Sequence, residues 1–197
     1  LVGSADTVPY RVAAGVVLDG DGNVYVADSG SHTVFKVSAS GVESGFAGGI
    51  QGKADGRGAA ASFSEPTGLA MDSEGNLYVA DKGNHAIRKI SPDGAVSTLA
   101  GGVQGNADGA GAIARFNAPT GVAVDSGGNV YVADFGNYAI RKVTPTGVVS
   151  TIAGTPGASG PLPDRFFGVT ESPYGIAISG RRLVFSSGNH IAQVDFV

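Results

Sequence analysis

The 197-residue chain has no cysteine, no tryptophan and a single methionine, and charged residues make up only 15% of it. Without cysteine there can be neither a disulfide framework nor a thiolate metal site. No apolar run approaches the roughly 20 residues that cross a bilayer, so membrane insertion is not expected. The net charge of −4 provides no broad basic field, which argues against nucleic acid as a partner. The opening residues lack the charged start and apolar stretch of a signal peptide. Neither a phosphate loop nor a GxSxG nucleophile elbow occurs.

Glycine, by contrast, is abundant: 33 residues without a G-X-Y period, the mark of many turns rather than of collagen. The turns fall in a repeat. Residues 15–48 read GVVLDGDGNVYVADSGSHTVFKVSASGVESGFAG, residues 68–101 read GLAMDSEGNLYVADKGNHAIRKISPDGAVSTLAG, and residues 121–154 read GVAVDSGGNVYVADFGNYAIRKVTPTGVVSTIAG. A degraded copy fills 175–197. The anchor glycines Gly15, Gly68, Gly121 and Gly175 lie 53, 53 and 54 residues apart.

Within a unit, four short β-rich runs alternate with turn chemistry. In the second unit these are Leu69–Met71 (a), Leu77–Ala80 (b), Ala86–Ile90 (c) and Val96–Leu99 (d). The a–b turn, Asp72-Ser-Glu-Gly-Asn76, places Gly75 where positive φ is needed. Run b is apolar on both faces, as a sheet covered on both sides requires. Four-stranded antiparallel sheets repeated around an axis make an all-β propeller, here of four blades within one domain, 1–197.

The units resemble NHL repeats. The resemblance rests on the glycine-to-strand pattern carried in full by Gly68–Ile90 and Gly121–Val143; the first unit keeps most of it, and the fourth departs from it. It implies the propeller fold with high specificity and function with almost none. Propellers of this kind commonly have six blades. Four units therefore leave two arrangements: a four-bladed ring, or part of a larger one, whether as a fragment or as two assembled chains. In the ring reading, Leu1–Ala5 resembles the missing d strand and closes the last blade.

Two long d–a connections are close copies, Gly49 to Thr67 and Gly102 to Thr120. Phe63, Phe116 and Phe166 or Phe167 are expected to plug the gaps between blades, and Pro66, Pro119 and Pro173 to fix the approach to strand a. Asp55 and Asp108 are read as turn residues bonding local backbone. The d–a and b–c connections share one face, the default binding face. There the histidines His32, His85 and His190, with Tyr138, are aligned at one repeat position. Metal ligation by them is disfavoured, because equivalent points on different blades are too far apart to share an ion. Asp19-Gly-Asp21-Gly-Asn23 has the look of a calcium loop but also of a hairpin turn. Asp28, Asp81 and Asp134 are read as turn acceptors, and Arg88 and Arg141 as side chains on the outer blade surface.

The functional expectation is a non-catalytic scaffold binding a protein, peptide or glycan through His32, His85, Tyr138, His190, Arg57 and Arg115, with no cofactor. The alternatives are a metal-dependent propeller enzyme of lyase or lactonase type, which the resemblance allows, and a self-assembling structural protein driven by unpaired edges. The missing thiols and the missing initiating methionine favour an extracellular or periplasmic location.

Overall fold

A computed structural model of the chain describes residues 12–154, 172–180, 182–188 and 190–195. Its strands are β1 (Ala13–Leu18), β2 (Val24–Asp28), β3 (Thr33–Val37), β4 (Glu43–Gly48), β5 (Gly56–Arg57), β6 (Pro66–Met71), β7 (Leu77–Asp81), β8 (Ala86–Ile90), β9 (Ala95–Gly101), β10 (Gly109–Ala110), β11 (Pro119–Val124), β12 (Val130–Asp134), β13 (Ala139–Val143), β14 (Val148–Ala153), β15 (Pro173–Ser179), β16 (Arg182–Ser187) and β17 (His190–Asp195). They form four antiparallel sheets, the blades of a four-bladed β-propeller. Blade 1 is β1-β2-β3-β4, and blade 4 is β15-β16-β17 among the described residues. The segment Leu1–Ala5, expected to close the last blade, lies outside the described residues, as do Phe166 and Phe167.

Blades 2 and 3 exceed the expected four strands. In each, the incoming d–a connection runs along the outer rim and adds a two-residue fifth strand: β5 pairs with β9, and β10 with β14. These short pairings cover part of an edge that would otherwise leave backbone groups unpaired.

The a–b turns follow the chemistry read from the sequence. Asp72 Oδ1 accepts the N–H groups of Glu74 and Asn76 at 3.0 and 2.8 Å, and Gly75 takes φ +81°. Asp19 and Asp125 repeat this geometry, so Asp19-Gly-Asp21-Gly-Asn23 is a hairpin turn whose aspartate is held by its own loop.

Among the described residues, three seams join the blades in series, each inner strand packing on the next. The anchor glycines make this possible. A Cβ on Gly68 would lie 2.6 Å from the Thr120 carbonyl oxygen, one on Gly121 the same distance from that of Tyr174, and one on Gly15 would collide with that of Thr67. Thr67 Oγ1 donates to the Thr120 carbonyl at 2.9 Å, and Thr120 Oγ1 to that of Tyr174 at 2.8 Å. Phe63 and Phe116 fill the first two seams and are fully buried, as expected. Burying a side chain of this size contributes roughly 1.5–3 kcal/mol. Pro66, Pro119 and Pro173 each open an innermost strand.

Candidate functional site

The b–c turns and d–a connections do meet on one face: Gly83 N–H donates to the Ser64 carbonyl, and the side-chain amides of Asn84 and Asn137 donate to the carbonyls of Gly52 and Gly105. His32, His85 and Tyr138 occupy equivalent left-handed positions at φ 57°, 53° and 54° just before strand c. Both histidines are latches across a seam. His32 Nδ1 accepts the Glu65 N–H at 3.1 Å, and His85 Nδ1 accepts the Ala118 N–H at 3.0 Å. Burial holds the His85 imidazole below its usual pKa, in keeping with a neutral acceptor.

The structure corrects the alignment of the fourth unit. His190 pairs with Ser187 inside the strand, the register held by Ala86 and Ala139 in blades 2 and 3, so it does not share the position of His32 and His85. Ser187, rather than Ser186, takes the place of the aspartate that ends strand b. The turn between β16 and β17 is two residues shorter than its counterparts, and this shifts the alignment.

The two arginines of the candidate set are not gathered with the histidines. Arg57 lies on the exposed outer rim in β5 and forms an ion pair with Asp93 of the c–d turn. Arg115 is exposed in the second long connection, where its carbonyl accepts a bond from Arg141 Nη1 at 3.2 Å.

Arg88 and Arg141 are buried, not spread on the outer surface. Arg88 Nη1 donates to Asp81 Oδ2 at 2.8 Å and to the Ser62 carbonyl; Nη2 donates to Asp55 Oδ1 at 2.8 Å and to the Ala54 carbonyl. Arg141 makes the same bonds to Asp134, Asp108, Arg115 and Ala107. Each guanidinium also lies over the phenylalanine of its seam, Phe63 at 5.3 Å or Phe116 at 5.4 Å. Asp55 and Asp108 are therefore partners of an arginine on strand c, not only turn residues. Asp81 and Asp134 accept the Ser64 and Asn117 N–H groups from the d–a connections. Burial pushes the Asp134 carboxyl up to about 6, against the bonds from Asn117, Asn137 and Arg141. The sequence held the signal for this network. Aspartate, arginine and the loop aspartate recur together at fixed offsets in two units, while the fourth has serine and alanine, Ser187 and Ala192, in place of the first two.

These networks place the repeated charged side chains in structural roles. Among the described residues, the aromatic side chains exposed on the loop face are ones that break the repeat. Phe135 occupies the position of Ser29 and Lys82, and Tyr174 that of Thr67 and Thr120. The two rings meet edge to face across the seam between blades 3 and 4, with centroids 6.1 Å apart, and are 37% and 60% exposed. Tyr138 follows in the same b–c turn, its N–H bonded to the Phe135 carbonyl. The pair could have been found by subtracting the repeat from the sequence and keeping the aromatic exceptions.

On the opposite face, the a–b turns of blades 1 and 2 border a groove of about 620 Å³, lined by Asp19, Asp21, Tyr25, Lys36, Asp72 and Glu74 among others. Asp72 is kept ionised by bonds from Asn76 and Tyr78, which outweigh its desolvation. Among the described residues no group of three or more His, Asp or Glu side chains is placed to hold a metal ion, and no helix is long and apolar enough to cross a membrane.

Comparison with known proteins agrees with this architecture. Residues 11–37, 63–90 and 116–143 match the NHL repeat. The chain is 38% identical over 152 residues to NHL repeat-containing protein 2 of Bos taurus; the match covers 68% of this chain and 21% of that protein. An auxiliary nutrient binding protein from Bacteroides thetaiotaomicron superposes with a TM-score of 0.68 at 19% identity, over 91% of this chain and 46% of its own. A streptogramin B lyase superposes with a TM-score of 0.58 at 16% identity, over 92% of this chain and 53% of its own. The chain thus spans about a fifth of that curated relative and about half of each solved structure. With its interlocked sheets and three matched repeats, it is an NHL-repeat β-propeller.

Proposed function

We propose that the chain is a non-catalytic binding module that takes a peptide, protein or glycan on the face bearing the b–c and d–a loops, centred on Phe135 and Tyr174. The observation that carries this reading is the exposed aromatic pair, the point where a repetitive scaffold departs from its own pattern. Aromatic side chains give large contact area at low conformational cost, and a rigid interlocked frame holds them in place. Tyr138 lies beside them, and Arg115 extends from the neighbouring connection. His32, His85, His190 and Arg57 stay in the proposal only as contributors at the margin, since the first two serve seams and Arg57 lies on the outer rim.

One observation favours binding over catalysis: the aspartates that end strand b in blades 2 and 3 are engaged in internal bonds, so they do not converge as a reactive set. The structurally similar proteins include one described as nutrient binding and one as a lyase, and at this identity both share the fold alone. An extracellular or periplasmic location belongs to the same proposal, on the cysteine-free composition, and cell fractionation checks it.

The test is a peptide and glycan array, followed by titration of the hits against Phe135→Ser and Tyr174→Thr. These substitutions restore residues that other blades carry, so the fold is expected to survive. Truncating an aromatic anchor commonly costs about 2 kcal/mol or more of affinity. Unchanged affinity in both variants, with binding lost instead on changing Asp21 and Glu74, would move the site to the opposite groove. Hydrolysis or elimination of a bound hit would overturn the non-catalytic reading.

A further inference from the structure

In the seam between blades 2 and 3, a strained segment ties a histidine to the turn that carries Phe135. Ala118, whose N–H His85 Nδ1 accepts at 3.0 Å, sits at φ 49° immediately before Pro119. Residues with a side chain rarely adopt that conformation, and a proline pushes its predecessor toward extended backbone, so the segment is held in place by what bonds to it. Asn117, its neighbour, grips the turn directly. The Asn117 carbonyl accepts the Gly136 N–H at 2.8 Å, and its side-chain amide donates to the Gly136 carbonyl at 3.0 Å. A Cβ on Gly136 would stand 2.5 Å from Asn117 Cγ. Contacts thus run without a gap from His85 through Ala118 and Asn117 to Gly136, the residue after Phe135. The seam between blades 1 and 2 has the same parts: His32 accepts from Glu65 at φ 49°, and the Ser64 carbonyl accepts the Gly83 N–H at 2.8 Å.

The bond to Ala118 exists only while Nδ1 is bare. A backbone N–H can only donate, so a proton on Nδ1 sets two donors against each other. Charged groups lie on every element around the ring. Lys82 in its own turn pairs with Glu65, and Asp81 at the foot of that turn bonds Arg88. The second connection carries Arg115 and Asp108, the latter paired with Arg141, which also bonds Asp134 under the Phe135 turn. Burial, rather than any of these charges, lowers the His85 pKa. Asp134 works in the opposite sense. Burial raises its pKa, so the enclosed carboxyl takes up a proton more readily than an exposed one, and its titration favours the closed seam in acid. His85 is therefore the group in this seam whose protonation opens the segment.

We propose that His85 controls the candidate binding turn: protonation of its ring frees Ala118, lets the strained segment relax and loosens the turn carrying Phe135, so that a ligand held on this face at neutral pH is released in mild acid. This regulation rests on the binding reading above, while the opening itself belongs to the fold and needs no ligand. The opening is local, because β12 and β13 beneath the turn keep their own pairing. One proton drives it, so the equilibrium shifts by at most about tenfold for each pH unit below the ordinary histidine value.

Amide hydrogen exchange on the full chain, resolved by residue and referred to unfolded-chain rates at each pH, tests this from about pH 7.5 to about pH 5.5. Protection at Ala118 and Gly136 is expected to fall together, by up to about tenfold, while β12 keeps its protection. His85→Asn is the decisive variant. Its Oδ1 stands where the imidazole Nδ1 stood, asparagine tolerates the left-handed conformation, and its amide does not titrate. The variant is expected to match the unaltered chain at neutral pH and to lose the response to acid. His32→Asn, in the other seam, is expected to leave the response of Gly136 unchanged. The nitrogen chemical shifts of the His85 ring give a second reading that needs no variant: at neutral pH, Nδ1 is expected to be the nitrogen without a proton. A protonated Nδ1 at neutral pH, a Gly136 amide indifferent to acid, an acid response that survives His85→Asn, or a parallel loss in β12 would each overturn the proposal. No ligand enters these measurements, so their failure is distinct from failure of the binding site, which the aromatic variants test.

Discussion

His85 of blade 2 holds the chain where it enters blade 3: its Nδ1 accepts the backbone N–H of Ala118 across 3.0 Å, and both residues sit in the left-handed region, at φ 53° and 49°. An imidazole accepts at Nδ1 only while that nitrogen carries no proton. Protonation below the ordinary value near 6.5 therefore competes with the latch, and burial already disfavours the charged ring. A histidine whose folded pKa is depressed contributes its full stability above the unfolded value. That stability is lost as pH falls through the folded value. The seam is expected to weaken from about pH 6.5 downward. His85→Tyr installs the residue that blade 3 carries at the same φ and leaves the Ala118 N–H without its acceptor. It is expected to cost about 1–3 kcal/mol at neutral pH and to flatten the dependence on pH, as read by urea denaturation over this range.

Arg141 neutralises a carboxylate buried with it, and its loss strands that charge. Arg141→Met is expected to destabilise by about 3–5 kcal/mol at neutral pH, the usual cost of breaking a buried pair from one side. Because burial has already pushed Asp134 up to about 6, the deficit should shrink as pH falls and the carboxyl takes a proton. Arg141→Lys should recover little. A single ammonium cannot reach both Asp134 and Asp108 while also serving the carbonyls of Ala107 and Arg115. Denaturant titration at neutral and mildly acidic pH checks both expectations.

The anchor glycines are not equivalent, although the sequence writes them alike. Gly121→Ala is expected to force apart the seam between blades 3 and 4 and to cost about 1–3 kcal/mol, the usual cost of overpacking. Gly175→Ala is expected to be nearly neutral, since among the described residues the added methyl meets only the Ser186 hydroxyl. Thermal unfolding of the two variants under identical conditions decides the matter. Equal losses would refute the seam as the reason for the repeated glycine.

Asp72 and Asp125 lie below the usual carboxylate pKa. In both, desolvation acts upward and is outweighed by the bonds from Asn76 and Tyr78, or from Asn129 and Tyr131. A carboxylate with a depressed folded pKa contributes stability that is present above the ordinary value near 3.8 and is lost as pH falls through the folded value. Asp72→Asn is expected to remove part of the acid-induced loss below about pH 4 while changing the slope near neutrality little. Circular dichroism during acid titration measures it.

The 53-residue period, the order of strands, the hairpin turns and the proline-led innermost strands were all legible in the chain, because each depends on local conformational preference and on contacts that recur identically. Tertiary structure decided what depends on neighbours. Arg88 and Arg141 look like solvent-facing charges until Asp81 and Asp134 from strand b and Asp55 and Asp108 from the connections close around them. His190 looks like a third copy of His85 until strand pairing shifts it to the register of Ala86. Val16, Leu18 and Ile191 carry the same apolar pattern as their buried counterparts, and only the arrangement of the blades leaves them exposed. A repeat specifies the face each unit presents, whereas burial requires another unit opposite, and that is a property of the assembled ring rather than of the unit.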